Sequence, residues 1–387
     1  MKYELAYSTF SEEEKKAMHD VIESDLFTMG KNVKAFEKEF ATFFGKKYAV
    51  MVNSGSSANL VGVASLFYKK EKPLKRGDEV IVPCISWATT FHPLHQYGLK
   101  LKFVDIDLET LNYDIEELKK AITPNTKMIV TVSVLGNPNY FDAIEALCEE
   151  HDIILFDDNC ESMGARYHEK YTGTSGLINT YSTFFSHHIS TMEGGLILTD
   201  DYEIFCLCKS LRNHGWTRDQ EEDSPIFKRK EDDFFEAYRF ILPGYNVRPG
   251  ELQGALGLQQ LKKLPAMLKQ RRKNAVYFQQ KFKDDKRFII QKEVGESSWF
   301  SFTMIINPNS GVNRAEVFNA LKKADIGYRI ITGGNFLEHD VIQYFDYEVT
   351  KSSNASYAHN YGFFVGNAPK DMTQEIDLLE KALKDIA

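Results

Sequence analysis

Short apolar runs alternate with amphipathic stretches over the first 250 residues of the chain. Tyr48 to Val52, Glu79 to Val82, Lys102 to Ile106, Met128 to Val132, Ile153 to Phe156, Thr180 to Phe185 and Leu196 to Thr199 are rich in Val, Ile and Phe, and helix-length spacers separate them. Runs of this kind read as strands buried on both faces, the pattern of a mostly parallel α/β sheet. The spacers Tyr113 to Ile122 and Ala143 to His151 carry their apolar residues at helical spacing, so helices should cover both faces of a seven-stranded sheet. From Glu251 the pattern changes. Glu251 to Lys281 reads as a long helix interrupted at Pro265, followed by shorter strands and helices and a helical tail from Thr373 to Ile386. The expected organisation is an N-terminal arm and large domain over residues 1–250, then a small C-terminal α+β domain over 251–387.

Composition narrows the class. With 387 residues, 43% of them hydrophobic and 26% charged, the chain can bury a sizeable core without disulfides or metals. It has no run of about 18 apolar residues to span a membrane. Met1 to Tyr7 lacks the basic start and apolar core of an export signal, so the expectation is a cytoplasmic protein with no membrane partner. Lys+Arg 47 against Asp+Glu 55 gives a net charge of -8 with the signs interspersed, which argues against nucleic acid as a partner. The five cysteines, Cys84, Cys148, Cys160, Cys206 and Cys208, include no CxxC pair and read as reduced thiols, with no zinc site.

Ligands of open α/β sheets sit beyond the carboxyl ends of the strands, so the residues just after each apolar run are the candidates for chemistry. After the first run comes Asn53-Ser54-Gly55-Ser56-Ser57-Ala58-Asn59, small and hydroxyl-rich, opening a helical pattern. It reads either as a phosphate cradle of backbone N–H groups or as a glycine turn with a serine N-cap. Ser86-Trp87-Ala88-Thr89-Thr90 follows the second run, and Trp87 reads as a plate for a flat ligand or as a core anchor. The fifth run ends in Asp157, Asp158 and Glu161; a carboxylate at the mouth of a buried sheet needs a cation, a protonated ring nitrogen or a helix N-terminus. The sixth leads to Ser182, Ser186, His187 and His188. Adjacent histidines in an extended segment cannot both face one ion, and no third ligand is near in sequence, so no metal is expected, and on these residues alone the pair reads either as structural histidines or as a source of a base. Together, a phosphate cradle, an aromatic plate, an acid able to hold a pyridinium and a base at successive strand ends describe a pyridoxal phosphate site.

The ordered motifs Ser54-Gly55-Ser56, Ser86-Trp87-x-Thr89, Asp158-x-x-Glu161, Ser182 through Glu193-Gly194-Gly195, Arg212-Asn213-His214-Gly215 and Gly244-Tyr245-Asn246-x-Arg248 resemble the DegT-type nucleotide-sugar aminotransferases over nearly the whole chain. The resemblance implies the fold-type I (aspartate aminotransferase-like) architecture of pyridoxal phosphate enzymes and a homodimer with the site at the subunit interface. It further implies that Gly55, Ser56 and Ser57 hold the cofactor phosphate beside the Ser182 hydroxyl, that Trp87 stacks on the ring, and that Asp158 pairs with the pyridine N–H. Glu161 should meet the 3-hydroxyl, and Asn246 should reach the phosphate in the neighbouring subunit. Ser186, His214, Arg218, Arg248 and Arg329 are the implied substrate-binding residues.

One departure changes the expected chemistry. Family aminotransferases place a lysine six residues before the glutamate of the Glu193-Gly194-Gly195 turn and hold the cofactor covalently through it; here that position is His187. Imidazole moves protons and forms no such bond, so cofactor bound as pyridoxal 5'-phosphate or pyridoxamine 5'-phosphate should be non-covalent. The sugar 3-dehydratase branch of the family carries this replacement. The runs Ser186 to Gly195, His214 to Arg218, Leu242 to Pro249 and Gly295 to Phe300 resemble its members that take a GDP-linked 4-keto-6-deoxy sugar. The implied activity is that of a lyase, with His187 as the catalytic proton carrier and L-glutamate as amino donor, removing the C3 hydroxyl for colitose and lipopolysaccharide synthesis. Another histidine-bearing branch uses an iron-sulfur cluster on four cysteines; Cys148, Cys206 and Cys208 supply three, and position 216, where a fourth is sought, is Trp216. The competing readings are a lysine-free aminotransferase, a dehydratase of another nucleotide sugar, and an inactive binding partner.

Overall fold

The computed structural model describes residues 1–384 and Ile386. Seven strands form where apolar runs predict them: β1 (Tyr48–Val52), β2 (Glu79–Pro83), β3 (Lys100–Val104), β4 (Thr126–Val132), β5 (Ile154–Asp158), β6 (Ile178–Ser182) and β7 (Gly195–Thr199). They lie in the order β1-β7-β6-β5-β4-β2-β3, with the short strand Tyr347–Val349 added in parallel beside β3. Only β7 runs against its neighbours.

The strand residues explain why the sheet is covered twice. Val50, Val82, Val130, Phe156 and Ile197 join one core. Their immediate neighbours Met51, Ile81, Ile129, Leu155 and Leu196 point the other way, into two separate clusters. Side chains that alternate between two apolar environments leave no polar face, which is why these strands read as continuous apolar runs.

A second sheet, antiparallel, orders Phe288–Ile290, Ser301–Ile306, Gly362–Gly366 and Tyr328–Arg329. The helix Glu251–Phe282 links the two bodies, packing Leu261, Leu264 and Leu268 against the large sheet's cluster and Ala275, Phe278 and Phe282 against that of the small one. The interruption expected at Pro265 does not occur: the helix is continuous over 32 residues. Proline removes one backbone donor, and buried Leu261, Leu264, Met267 and Leu268 on either side hold the axis through that gap. The tail helix forms over Thr373–Leu383, and Asp385 and Ala387 lie outside the described residues. Among the described residues no helix is long and apolar enough to cross a membrane.

Candidate active site

The carboxyl ends of β2, β4, β5 and β6 and the turn before β7 surround a cavity of about 370 Å³. Its phosphate-sized corner is the start of the helix Gly55–Tyr68, where the Ser54 side chain accepts from the Ser57 N–H at 3.1 Å and caps the first turn. A Cβ on Gly55 would stand 2.7 Å from the Ser182 Cβ, so only glycine lets this turn approach the end of β6. Ser56 reaches the neighbouring loop, its hydroxyl donating to Thr89 Oγ1 at 3.1 Å. The indole of Trp87 is 60% exposed and lines the cavity, the placement of a plate for a flat ligand rather than of a core anchor.

Asp158 lies buried at the floor. Its Oδ2 accepts from Asn59 Nδ2 at 2.8 Å and from Thr90 Oγ1 at 2.7 Å. Asn59 is oriented in turn by the Thr180 hydroxyl, which donates to its Oδ1 at 2.6 Å. Such a fixed acceptor suits a protonated ring nitrogen. Glu161 is held by the Leu135 N–H and by the Thr332 hydroxyl, each at 3.0 Å. Both donors sit on left-handed backbone, at φ 52° and 46°, conformations that non-glycine residues keep only where the surroundings hold them. Burial, aided by the nearby Asp158 charge, pushes the Glu161 carboxyl up to about 7.

That shift has a measurable sign. A carboxyl whose folded pKa lies above its ordinary value favours the fold fully at low pH and loses that contribution as pH rises from about 4.5 through about 7. Glu161→Gln, which cannot ionise, should therefore raise the melting temperature of the cofactor-free protein more at pH 8 than at pH 5. Equal effects at the two pH values would contradict the assignment of a neutral carboxyl.

His187 completes the cavity wall. Its ring meets Phe300 edge-on, with centroids 5.2 Å apart, and Nδ1 is buried without a hydrogen-bond partner. Desolvation, reinforced by the Arg271 charge, pulls the imidazole down to about 4, leaving it a neutral base at physiological pH. His188 points away from the lining into the interior, where burial lowers it further.

Of the residues that the sequence singles out, Gly55, Ser56, Trp87, Asp158, Glu161, Ser182, Ser186 and His187 line this one cavity. Ser57 does not: its N–H is taken by the Ser54 cap and its hydroxyl donates to Asn53 Oδ1 at 2.6 Å. Asn246, His214, Arg218, Arg248 and Arg329 lie outside the lining. Arg248 donates to Asn213 Oδ1 at 2.7 Å, Arg218 stands over the Trp216 ring, and Arg329 donates to the Tyr328 carbonyl on the small sheet. The sequence does not single out Asn59 and Thr90 on Asp158, Leu135 and Thr332 on Glu161, or Phe300 on His187. The first two stand inside motifs that mark their neighbours and Phe300 closes the run that begins at Gly295, whereas Leu135 and Thr332 carry no local signal. The cysteines are dispersed, Cys148 and Cys208 in different core clusters, and no group of three or more metal-ligating side chains forms among the described residues.

A glycine-tight helix start, an exposed indole and a doubly bonded buried carboxylate fit pyridoxal phosphate: phosphate, ring face and ring nitrogen each meet a matching group. Comparison with known proteins agrees. The chain is 53% identical over 387 residues to the GDP-4-keto-6-deoxy-D-mannose 3-dehydratase of Escherichia coli O55:H7, covering 99% of this chain and 100% of that protein. The enzyme of the same name from Yersinia pseudotuberculosis is 50% identical, over 99% of this chain and 98% of its own length. The fold superposes with a TM-score of 0.97 on a crystal structure of GDP-4-keto-6-deoxymannose-3-dehydratase with a trapped PLP-glutamate geminal diamine, at 52% identity over 98% of this chain and 100% of that one. Matched from residue 8 to residue 375 by the model of the DegT/DnrJ/EryC1/StrS aminotransferase family, the chain belongs to that family.

Proposed function

We propose that the protein removes the C3 hydroxyl of GDP-4-keto-6-deoxy-D-mannose, with L-glutamate as amino donor and non-covalent pyridoxal 5'-phosphate, giving GDP-4-keto-3,6-dideoxy-D-mannose, 2-oxoglutarate and ammonia. The observation that carries this reading is His187, a neutral base with no lysine at its position, in the wall of a cavity that fits pyridoxal phosphate. The bound cofactor supplies an electron sink for charge developing at the amino acid Cα and along the sugar C4–C3 bond. The helix start at Gly55 and Ser56 and the Ser182 hydroxyl bind its phosphate, and Trp87 fixes the plane of its ring. Asp158, kept in place by Asn59 and Thr90, holds the proton on the ring nitrogen. Glu161, whose carboxyl is pushed up to about 7 by burial, holds a proton over part of the neutral range and then offers a hydrogen bond to the ring hydroxyl. His187 takes the proton from the glutamate Cα, delivers it to C4′, and in the sugar half-reaction removes a proton from C4′ as the C3 hydroxyl leaves. Imidazole cannot recapture the cofactor covalently, so elimination is not diverted into amine transfer.

The homodimer belongs to this proposal. His214, Arg218, Asn246, Arg248 and Arg329 lie outside the cavity, and in the segment that packs beside Trp216 and Arg218 the residues Phe234, Phe235, Tyr238 and Phe240 expose 56–80% of their surface, as residues that complete a neighbour's site would. We likewise assign residues 1–250 to a cofactor-binding domain and 251–387 to a smaller one, and place the enzyme in the cytoplasm, where nucleotide sugars are made. Incubation with the GDP-linked ketosugar, cofactor and glutamate, followed by mass analysis, should yield a sugar lighter by one oxygen atom; unchanged substrate or an amino sugar would overturn the assignment.

A further inference from the structure

Behind His187 stands a cation that no part of the proposed chemistry uses. Arg271, on the helix Glu251–Phe282, is only 4% exposed, and its guanidinium is met by carbonyl oxygens rather than by a carboxylate. Nη1 donates to the Phe300 carbonyl at 3.1 Å and to that of Asn367, while Nε has no partner. A buried arginine without a counter-ion gives up its hydration with no opposite charge in return, so its presence here calls for a reason.

Its contacts supply one. Phe300 is the residue whose ring meets the imidazoles of both His187 and His188, with centroids 5.2 and 5.4 Å apart. The segment that carries it is pinned repeatedly: Arg272 pairs with Glu296 at 2.5 Å and donates to the Ser297 carbonyl at 3.0 Å, and Asn367 donates to the Trp299 carbonyl at 2.8 Å. Trp299 itself is on left-handed backbone, at φ 48°, so the segment does not adopt this path unaided.

We propose that Arg271 is a positioning residue for His187, acting through Phe300: it fixes the ring against which the imidazole packs and sets an uncompensated positive charge behind that imidazole. The inference rests on His187 being the proton carrier. The titratable and charged groups around His187 are Arg271 on the long helix, His188 beside it, Asp158, Cys160 and Glu161 from the end of β5, and Glu193 from the turn before β7. Of these, Arg271 is the one that lowers His187, alongside burial. Although burial brings the guanidinium down to about 10, it stays charged at neutral pH. A cation disfavours the imidazolium, so the base is unprotonated over a wider pH range.

The test uses the full-length protein with isotope-labelled imidazole rings, the His187 resonance being the one lost in His187→Asn. In Arg271→Gln the His187 titration should move to higher pH by about one unit, and the acidic limb of kcat with it. Arg271→Lys should keep the low titration while kcat falls about tenfold at unchanged KM, because the lysine Nζ stands one bond short of the Nη1 position that meets both carbonyls. Phe300→Leu should do the same, losing the packing and keeping the charge. An unmoved titration in Arg271→Gln overturns the inference. If Arg271→Gln does not fold, wild-type kcat in both Arg271→Lys and Phe300→Leu overturns it. Full turnover in His187→Asn would instead remove the reading of His187 on which it stands, whatever Arg271 does.

Discussion

His187→Asn should lower turnover by roughly 10²- to 10⁴-fold in each half-reaction, the usual worth of a positioned general base, while leaving cofactor affinity nearly unchanged. The separation follows from the site. His187 meets the cavity through its ring, whereas the groups assigned to hold the cofactor are the helix start at Gly55, the Trp87 plate and the Asp158 carboxylate, none of which hydrogen-bonds to His187. Asparagine keeps a polar side chain near the imidazole's size and removes its proton chemistry. Release of 2-oxoglutarate from glutamate alone and loss of the sugar hydroxyl should fall together, since one base serves both. If only the second fell, the proton at the amino acid Cα would have another carrier.

His187→Lys should have an effect of comparable size and different character. A lysine amine at this position is a nucleophile within reach of the cofactor's carbonyl carbon, so the cofactor should become covalently attached. Borohydride treatment should then fix a pyridoxyl group on the variant chain and none on the wild type. Dehydration should fall at least about 100-fold, because the cofactor is recaptured before the hydroxyl leaves and the new amine must lie within about 3 Å of C4′ to move protons. Efficient sugar amination should not appear in return, since the pocket is otherwise that of the dehydratase. A lysine variant with full dehydratase activity would mean that the histidine is not what separates the two outcomes.

The large sheet is legible in the sequence because its strands turn both faces to apolar clusters, so β1, β2, β4, β5 and β7 leave mostly hydrophobic runs. The edge strand Tyr347–Val349 is not, for it is exposed along its whole length and carries no such run. Pro265 misleads for the opposite reason: a local breaker lies between buried leucines that override it. In the site, the legible residues are those whose type does the chemistry, such as Asp158 and His187. The less legible ones act through backbone or second contacts. Leu135 presents an N–H from a strained turn and Phe300 presents a ring fixed by Arg271, and neither role is written in the residue type. Thr90 and Asn59 fall between, recognisable once Asp158 is known to need orienting partners.

The fate of the donor nitrogen tests the role of His187 most directly. With ¹⁵N-labelled glutamate, pyridoxal 5'-phosphate and GDP-4-keto-6-deoxy-D-mannose, the label should leave as free ammonia, matching the deoxygenated sugar mole for mole, with none retained in the nucleotide sugar. Label found in the nucleotide sugar, with the C3 oxygen still in place, would show an aminotransferase and contradict the claim that His187 commits this site to elimination.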